Sequence, residues 1–368
     1  MNSSLHHDSS IALANRSAAD PVVLRTRLQA LREAEPALRA RELAARLHVS
    51  EAELVACRCG EDVICLSPSW SALIHGLEGV GRVMVLTRNE SCVHEKKGCF
   101  AHISITQSMG LVLNDAIDLR LLLKHWIHAY AVTEQGRAGL LHSLQIFDAD
   151  GRAVHKIYAT EDTDMEAWLR LIAQFTAPLQ VASPALRPVA ESYLQQQDDA
   201  AIDVAQLQAD WRELRDPHQF VGLLRRHRLG RLQALRLVGT PMARRLANDS
   251  IGRVLESAAA SGLGLMVFVG SPGVVQIHAG PVLRIQRIGP WLNVLDDDFN
   301  LHLREDHIAS SWQVRKPGPE GEVTSLELYD KDGRLIAQVF GYRKPGLPEL
   351  AGWRSLADNL PDHVEEAA

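Results

Sequence analysis

The chain has 368 residues, 46% of them hydrophobic and 23% charged, enough for two domains or one large duplicated unit with a sizeable core. Its net charge of -6, with acids and bases interleaved, provides no footprint for nucleic acid or a membrane surface. No run of 18 apolar residues offers a membrane span, and the first residues lack the charged and apolar segments of a signal peptide, so a soluble cytoplasmic protein is expected.

In chain order, residues 1–22 form a polar tail with His6 and His7, expected to be flexible. A first repeat over 23–178 then begins with one or two helices. Cys57, Cys59 and Cys65 follow in CRCGEDVIC; without a second ligand pair at zinc-finger spacing they are expected to be reduced structural thiols. A run of short strands follows, then a closing helix, DTDMEAWLRLIAQF. Residues 179–205, rich in Pro, Ala, Gln and Asp, link to a second repeat over 206–362, which closes with PELAGWRSLADNL.

The two repeats are one sequence pattern used twice. SLQIFDADGR at 143 and SLELYDKDGR at 325 are the same strand, turn and strand start, 182 positions apart; VMV at 83 answers LMV at 265, and Gly98 answers Gly280. The D-A-D-G and D-K-D-G turns join strands of alternating pattern, which argues for antiparallel pairing and an α+β fold. What the repeats do not share is then informative. His218 answers Pro36 and Arg88 answers Gly270, so each belongs to one copy only.

His218 lies in RDPHQFVGLLRRHR, which reads as a helix with Asp216 as N-cap and Pro217 at its first position. Phe220, Leu223, Leu224 and His227 form the buried stripe, while His218 and Gly222 face the other way, one turn apart.

LTRNESCVHEKKG, DPHQFVGLLRRHRLGRLQALRL, FNLHLREDHIA and VTSLELYDKDGRLIAQVFGYRKPG resemble the HemS/HmuS/ChuS/PhuS family of cytoplasmic bacterial haem-handling proteins, from about residue 25 to about 360. The resemblance implies a pseudo-twofold fold of two antiparallel β-sheet units flanked by helices, with haem b held between them as ligand or substrate. It implies His218 as the axial iron ligand and Arg88 across the iron. By the same carry-over Arg231, Lys316, Gln338 and Arg343 belong to the haem site. Where some relatives have further histidines just after the ligand, this chain has Gln219 and Val221.

The chemistry suits those roles. The positive end of a helix disfavours an imidazolium and leaves His218 a neutral nitrogen for iron, and Gly222 clears room for a flat macrocycle. Arg88 is a cation that does not titrate; its alternative is a surface pair with Glu90 or Glu95. Arg231, Lys316 and Arg343 suit the two propionates. Gln338 alternates with buried-looking Ile336 and Phe340 and reads equally well as a cross-strand hydrogen bonder. His94, His125, His128, His142, His155, His278, His302 and His307 form no metal signature, and Trp126, Trp291 and Trp312 are expected in the core. Two functions follow from the resemblance: haem binding and delivery, between an importer and a haem oxygenase, or oxidative opening of the porphyrin ring by the chain itself.

Overall fold

The computed structural model describes residues 20–136, 139–189, 197–344 and 346–364; His6 and His7 lie outside them. The fold is α+β, with two nine-stranded antiparallel sheets and flanking helices, as expected. The described residues within Met1–Thr87, Lys97–Ala190 and Ser271–Val274 form one compact unit, and those within Arg88–Lys96, Glu191–Gly270 and Val275–Ala368 a second.

The first unit opens with α1 (Pro21–Ala34), α2 (Ala40–Leu47) and α3 (Glu51–Ala56) before β1 (Val63–Leu66). A fourth helix, α4 (Trp70–Gly76), precedes β2 (Gly81–Arg88). The expected one or two helices are thus four: local caps divide the first stretch into three, and β1 separates the fourth. Asp20 accepts from the amides of Val22 and Val23, His48 ends α2 at φ 57°, and Ser50 and Glu53 make a reciprocal capping box.

After β3 (Cys92–Cys99) come β4 (Ile103–Ile105), β5 (Met109–Leu113), β6 (Asp118–Leu122), β7 (His128–Gly136), β8 (Gly139–Phe147), β9 (Ala153–Thr163) and the closing α5 (Met165–Phe175). Within this unit the strands run β1-β7-β8-β9-β2 and β4-β5-β6.

The second unit repeats the plan. It has α6 (Val204–Arg212), α7 (Phe220–His227), α8 (Arg231–Val238), β10 (Ala243–Leu246), α9 (Ser250–Ser261), β11 (Leu265–Gly270) and β12 (Val274–Gly280). Strands β13 (Ile285–Ile288), β14 (Trp291–Leu295), β15 (Phe299–Arg304), β16 (Ser310–Gly318), β17 (Gly321–Tyr329) and β18 (Leu335–Gly341) follow, and α10 (Ala351–Asp358) closes the chain. The run β10-β16-β17-β18-β11 reproduces β1-β7-β8-β9-β2 strand for strand.

The two D-x-D-G turns are built alike. Asp148 Oδ1 accepts from the amides of Asp150 and Arg152, and Asp330 Oδ1 from those of Asp332 and Arg334. Gly151 and Gly333 take φ of 81° and 74°, a conformation that suits glycine. Residues related by the repeat also meet directly: Lys96 Nζ lies 3.0 Å from His278 Nδ1, and Gln276 Nε2 donates to His94 Nδ1 at 2.8 Å, each pair 182 positions apart.

Each unit has its own apolar core. In the first, Val83, Leu119, Ile157 and Trp168 are fully buried; in the second, Val254, Leu265, Leu292 and Trp353 are. Of the three tryptophans expected inside, Trp126 and Trp312 are buried, but Trp291 is only half-buried beneath the Arg304 guanidinium, 5.3 Å from its ring centre. Its place on β14, near the end of the β15-β14-β13 run, leaves one face of the indole to a cation. Cys57 and Cys92 are buried, Cys59 and Cys65 half-buried, and Cys99 exposed.

Candidate functional site

His218, Arg88, Arg231, Lys316, Gln338 and Arg343 all fall in the second unit. Asp216 caps the turn that carries His218, but the first turn is not α-helical. Pro217–Gln219 forms a 3₁₀ turn, closed by the Phe220 amide on the Pro217 carbonyl, and α7 begins only at Phe220. The buried stripe of Phe220, Leu223 and Leu224 packs inward, and His227 Nε2 reaches the Asp210 carboxylate at 2.8 Å.

The His218 side chain is 89% exposed. Its Nδ1 lies 2.5 Å from Asp216 Oδ1, which also accepts the His218 backbone amide at 2.8 Å. A carboxylate only accepts, so Nδ1 is the donor of this bond, and in the neutral ring the lone pair is on Nε2. One short side chain thus caps the turn and sets the tautomer, an arrangement typical of metal-binding histidines. The amide bond from His218 first, then its imidazole and the charge of Arg343, hold the Asp216 carboxyl below its usual range. Arg343 lies just past β18. A Cβ added at Gly222 would meet nothing within 4 Å, so the face above it is open.

Arg231, Lys316 and Gln338 converge on one buried carboxylate, Glu327. Arg231 donates from Nη2 to Oε1 at 2.7 Å and from Nε to Oε2 at 2.8 Å; Lys316 Nζ and Gln338 Nε2 each reach Oε1 at 2.9 Å. Tyr329 Oη donates to Oε2 at 2.5 Å. The β register explains the meeting. Glu327 stands directly opposite Gln338, Lys316 enters from β16, and Arg231 reaches in from the first position of α8. Phe220 lies beneath both cations, its ring centre 5.0 Å from the Arg231 guanidinium and 4.6 Å from Lys316 Nζ. Since Phe220 is two residues past His218, the histidine turn and the cation pair rest on one aromatic anchor.

Burial pushes the Lys316 ammonium down to about 8, against the pull of Glu327. Burial alone would raise the Glu327 carboxyl, but the charges of Arg231 and Lys316 hold it well below the usual range. Arg231, Lys316 and Glu327 together leave one net positive charge.

Phe268, opposite Gln338, and Phe340 stand on the same stretch of sheet; both are half-buried, with ring centres 5.0 Å apart. They form an apolar platform beside the polar cluster. Phe340 is thus less buried than its alternation with Ile336 implied. Arg88 is half-buried at the last position of β2. The next residue, Asn89, is tied down: its Nδ2 donates to the Ile336 carbonyl at 2.8 Å, and its Oδ1 accepts the amides of Ser91 and Cys92. The turn beside Arg88 is thereby fixed to the strand that carries Gln338.

Sequence reasoning missed Glu327, Phe268 and the second role of Asp216. Glu327 had a signal, since it is an acid amid the strand pattern of SLELY, but its partners come from positions 231, 316 and 338. Among the described residues, no group of three His, Cys, Asp or Glu side chains could hold a metal ion.

Residues 48–175 and 228–360 match the model of the haemin-degrading HemS/ChuX domain family. The chain belongs to this family. It is 43% identical over 324 residues to the hemin transport protein HmuS of Yersinia pestis, covering 87% of this chain and 92% of that one. It resembles the crystal structure of holo-PhuS, a heme-binding protein from Pseudomonas aeruginosa, with 46% identity, a TM-score of 0.91, and 94% and 100% of the two chains covered. The heme-degrading enzyme ChuS of Escherichia coli O157:H7 matches at 38% identity and a TM-score of 0.87, over 93% and 100% of the chains. No helix among the described residues is long and apolar enough to cross a membrane.

Proposed function

We propose that this chain binds haem in the cytoplasm of a bacterium, receiving it from an importer and passing it on for degradation by a haem oxygenase. The observation that carries the reading is His218: an exposed imidazole whose Nδ1–H is held by Asp216, so that Nε2 is the nitrogen turned to a ligand. Haem brings the iron such a nitrogen ligates and two propionates for which Arg231, Lys316 and Arg343 are the nearby cations. Phe268 and Phe340 provide apolar surface for the ring, and the bare backbone at Gly222 leaves room for it. Arg88, next to the turn that Asn89 ties down, is the cation assigned to the opposite side of the iron.

A single protein ligand and an open, polar rim suit release as well as capture, which favours delivery as the primary role. Ring opening by the chain itself is the second reading, favoured by the likeness to ChuS, a heme-degrading enzyme. Bound haem supplies the iron at which such oxidation takes place; the protein's part is to hold it through His218 and leave the far side accessible.

Titration of the purified protein with haemin tests the binding. A Soret shift saturating near one equivalent is expected, and His218→Ala should lose most of it; an unchanged spectrum and affinity in the variant would remove the ligand assignment. Incubating the complex with an electron donor and catalase separates the two roles. Haem that stays intact and moves to an added haem oxygenase marks a carrier, whereas a ring-opened tetrapyrrole with free iron marks an enzyme.

A further inference from the structure

The least expected residue of the site is Glu327. It is an acid, fully buried, in a cluster otherwise suited to binding anions. We propose that Glu327 is the positioning residue of the carboxylate-binding corner: by sharing its two oxygens among Arg231, Lys316 and Gln338, it fixes the two cations side by side so that a propionate meets a preformed, singly positive corner. The inference rests on the haem-binding reading.

Three observations support it. First, the geometry is complete on Glu327 itself. Oε1 accepts from Arg231, Lys316, Gln338 and, at 3.2 Å, Ser325 Oγ, while Oε2 accepts from Arg231 and Tyr329. Long basic side chains lose rotamer freedom when ordered, and here that cost is met before any ligand arrives. Second, the first repeat shows that the strand framework does not require a carboxylate at this position. Gln145 occupies the equivalent place on β8, opposite Lys156 as Glu327 is opposite Gln338, and its Nε2 donates to Ser143. There the acid stands at the position of Lys316 instead: Glu134 binds Arg58 at 2.7 Å and Arg32 at 3.0 Å.

Third, the corner depends on Lys316 carrying a proton. The groups facing Lys316 are Glu327 on β17, Arg231 on α8 and the Phe220 ring on α7. Tyr329, bonded to the other Glu327 oxygen, is held well above its usual range by burial and by that carboxylate. Burial and Arg231 drive the Lys316 proton off, and Glu327 opposes them. In this cluster, then, only Lys316 changes charge near pH 8.

The test measures haemin affinity against pH by Soret titration, for the whole chain and for E327Q, K316M and E327Q/K316M, with haemin dimethyl ester as a probe that lacks free propionates. The wild type should lose haemin affinity as pH rises through about 8, K316M should show no such step, and E327Q should show it at lower pH. The ester should show no step with any protein. A step at the wild-type pH in E327Q overturns the proposal.

The double variant covers the case in which E327Q does not fold. Relative to K316M it is more positive by one charge, so simple attraction predicts tighter haemin binding; positioning of Arg231 predicts binding about tenfold weaker. Equal or tighter binding overturns the inference. Failure of the haem-binding reading would look different, as an absent Soret shift in the wild type.

Discussion

Asp216 Oδ1 lies 2.5 Å from the imidazole Nδ1 of His218 and 2.8 Å from the same residue's backbone amide, so one carboxylate oxygen orders both the turn and the ring it carries. Capping and ligand orientation are therefore coupled, and a change at Asp216 is felt at His218 Nε2 even though Asp216 is not itself a ligand.

Asp216→Ala should keep the fold, because the carboxylate is half-exposed and the loss is that of one cap, about 1 kcal/mol. Haemin affinity should fall by about 10- to 100-fold as the ring loses its fixed tautomer and orientation. Asp216→Asn should restore the cap but not the charge, giving an intermediate affinity. Soret titration checks both, and equal affinities in all three proteins would separate Asp216 from ligation.

Gly222→Ala distinguishes a folding role for the glycine from a ligand-clearance role. The site of the new methyl is open, so helix stability should rise by about 0.4–1 kcal/mol, read as a higher denaturation midpoint of the ligand-free protein. Haemin binding should weaken, because the methyl stands on the face assigned to the macrocycle. A stabilised protein with unchanged haemin affinity would move the ring away from α7.

Acid should destabilise the fold through buried histidines. Burial pushes His155 and His278 down to about 3, with Lys96 adding to the effect on His278, and burial also holds His94 well below its usual range. These rings stay neutral in the folded chain, whereas the unfolded chain takes up protons below about pH 6.5. Their contribution is complete above that pH and is lost as pH falls towards 3, by about 1.4 kcal/mol per unit for each histidine. Urea midpoints at pH 7.5 and 5 should show a marked drop, and His155→Gln should make it shallower; parallel pH dependences for the two proteins would exclude His155 from the effect.

Much of the architecture was legible in the sequence, for local reasons. Periodicity, the two D-x-D-G turns and the 182-residue offset are properties of neighbouring residues, and they establish an antiparallel α+β duplication without knowledge of any distant contact. The singularity of His218 was also legible, because a duplicated framework displays what only one copy has. What surrounds it depends on how distant segments pack. Asp216 turned out to hold the ring as well as cap the turn, and cations 85 residues apart in sequence, Arg231 and Lys316, share a carboxylate that no local pattern marks. Strand register and helix packing bring those groups together, and a buried charge is understood only through partners the chain delivers from elsewhere.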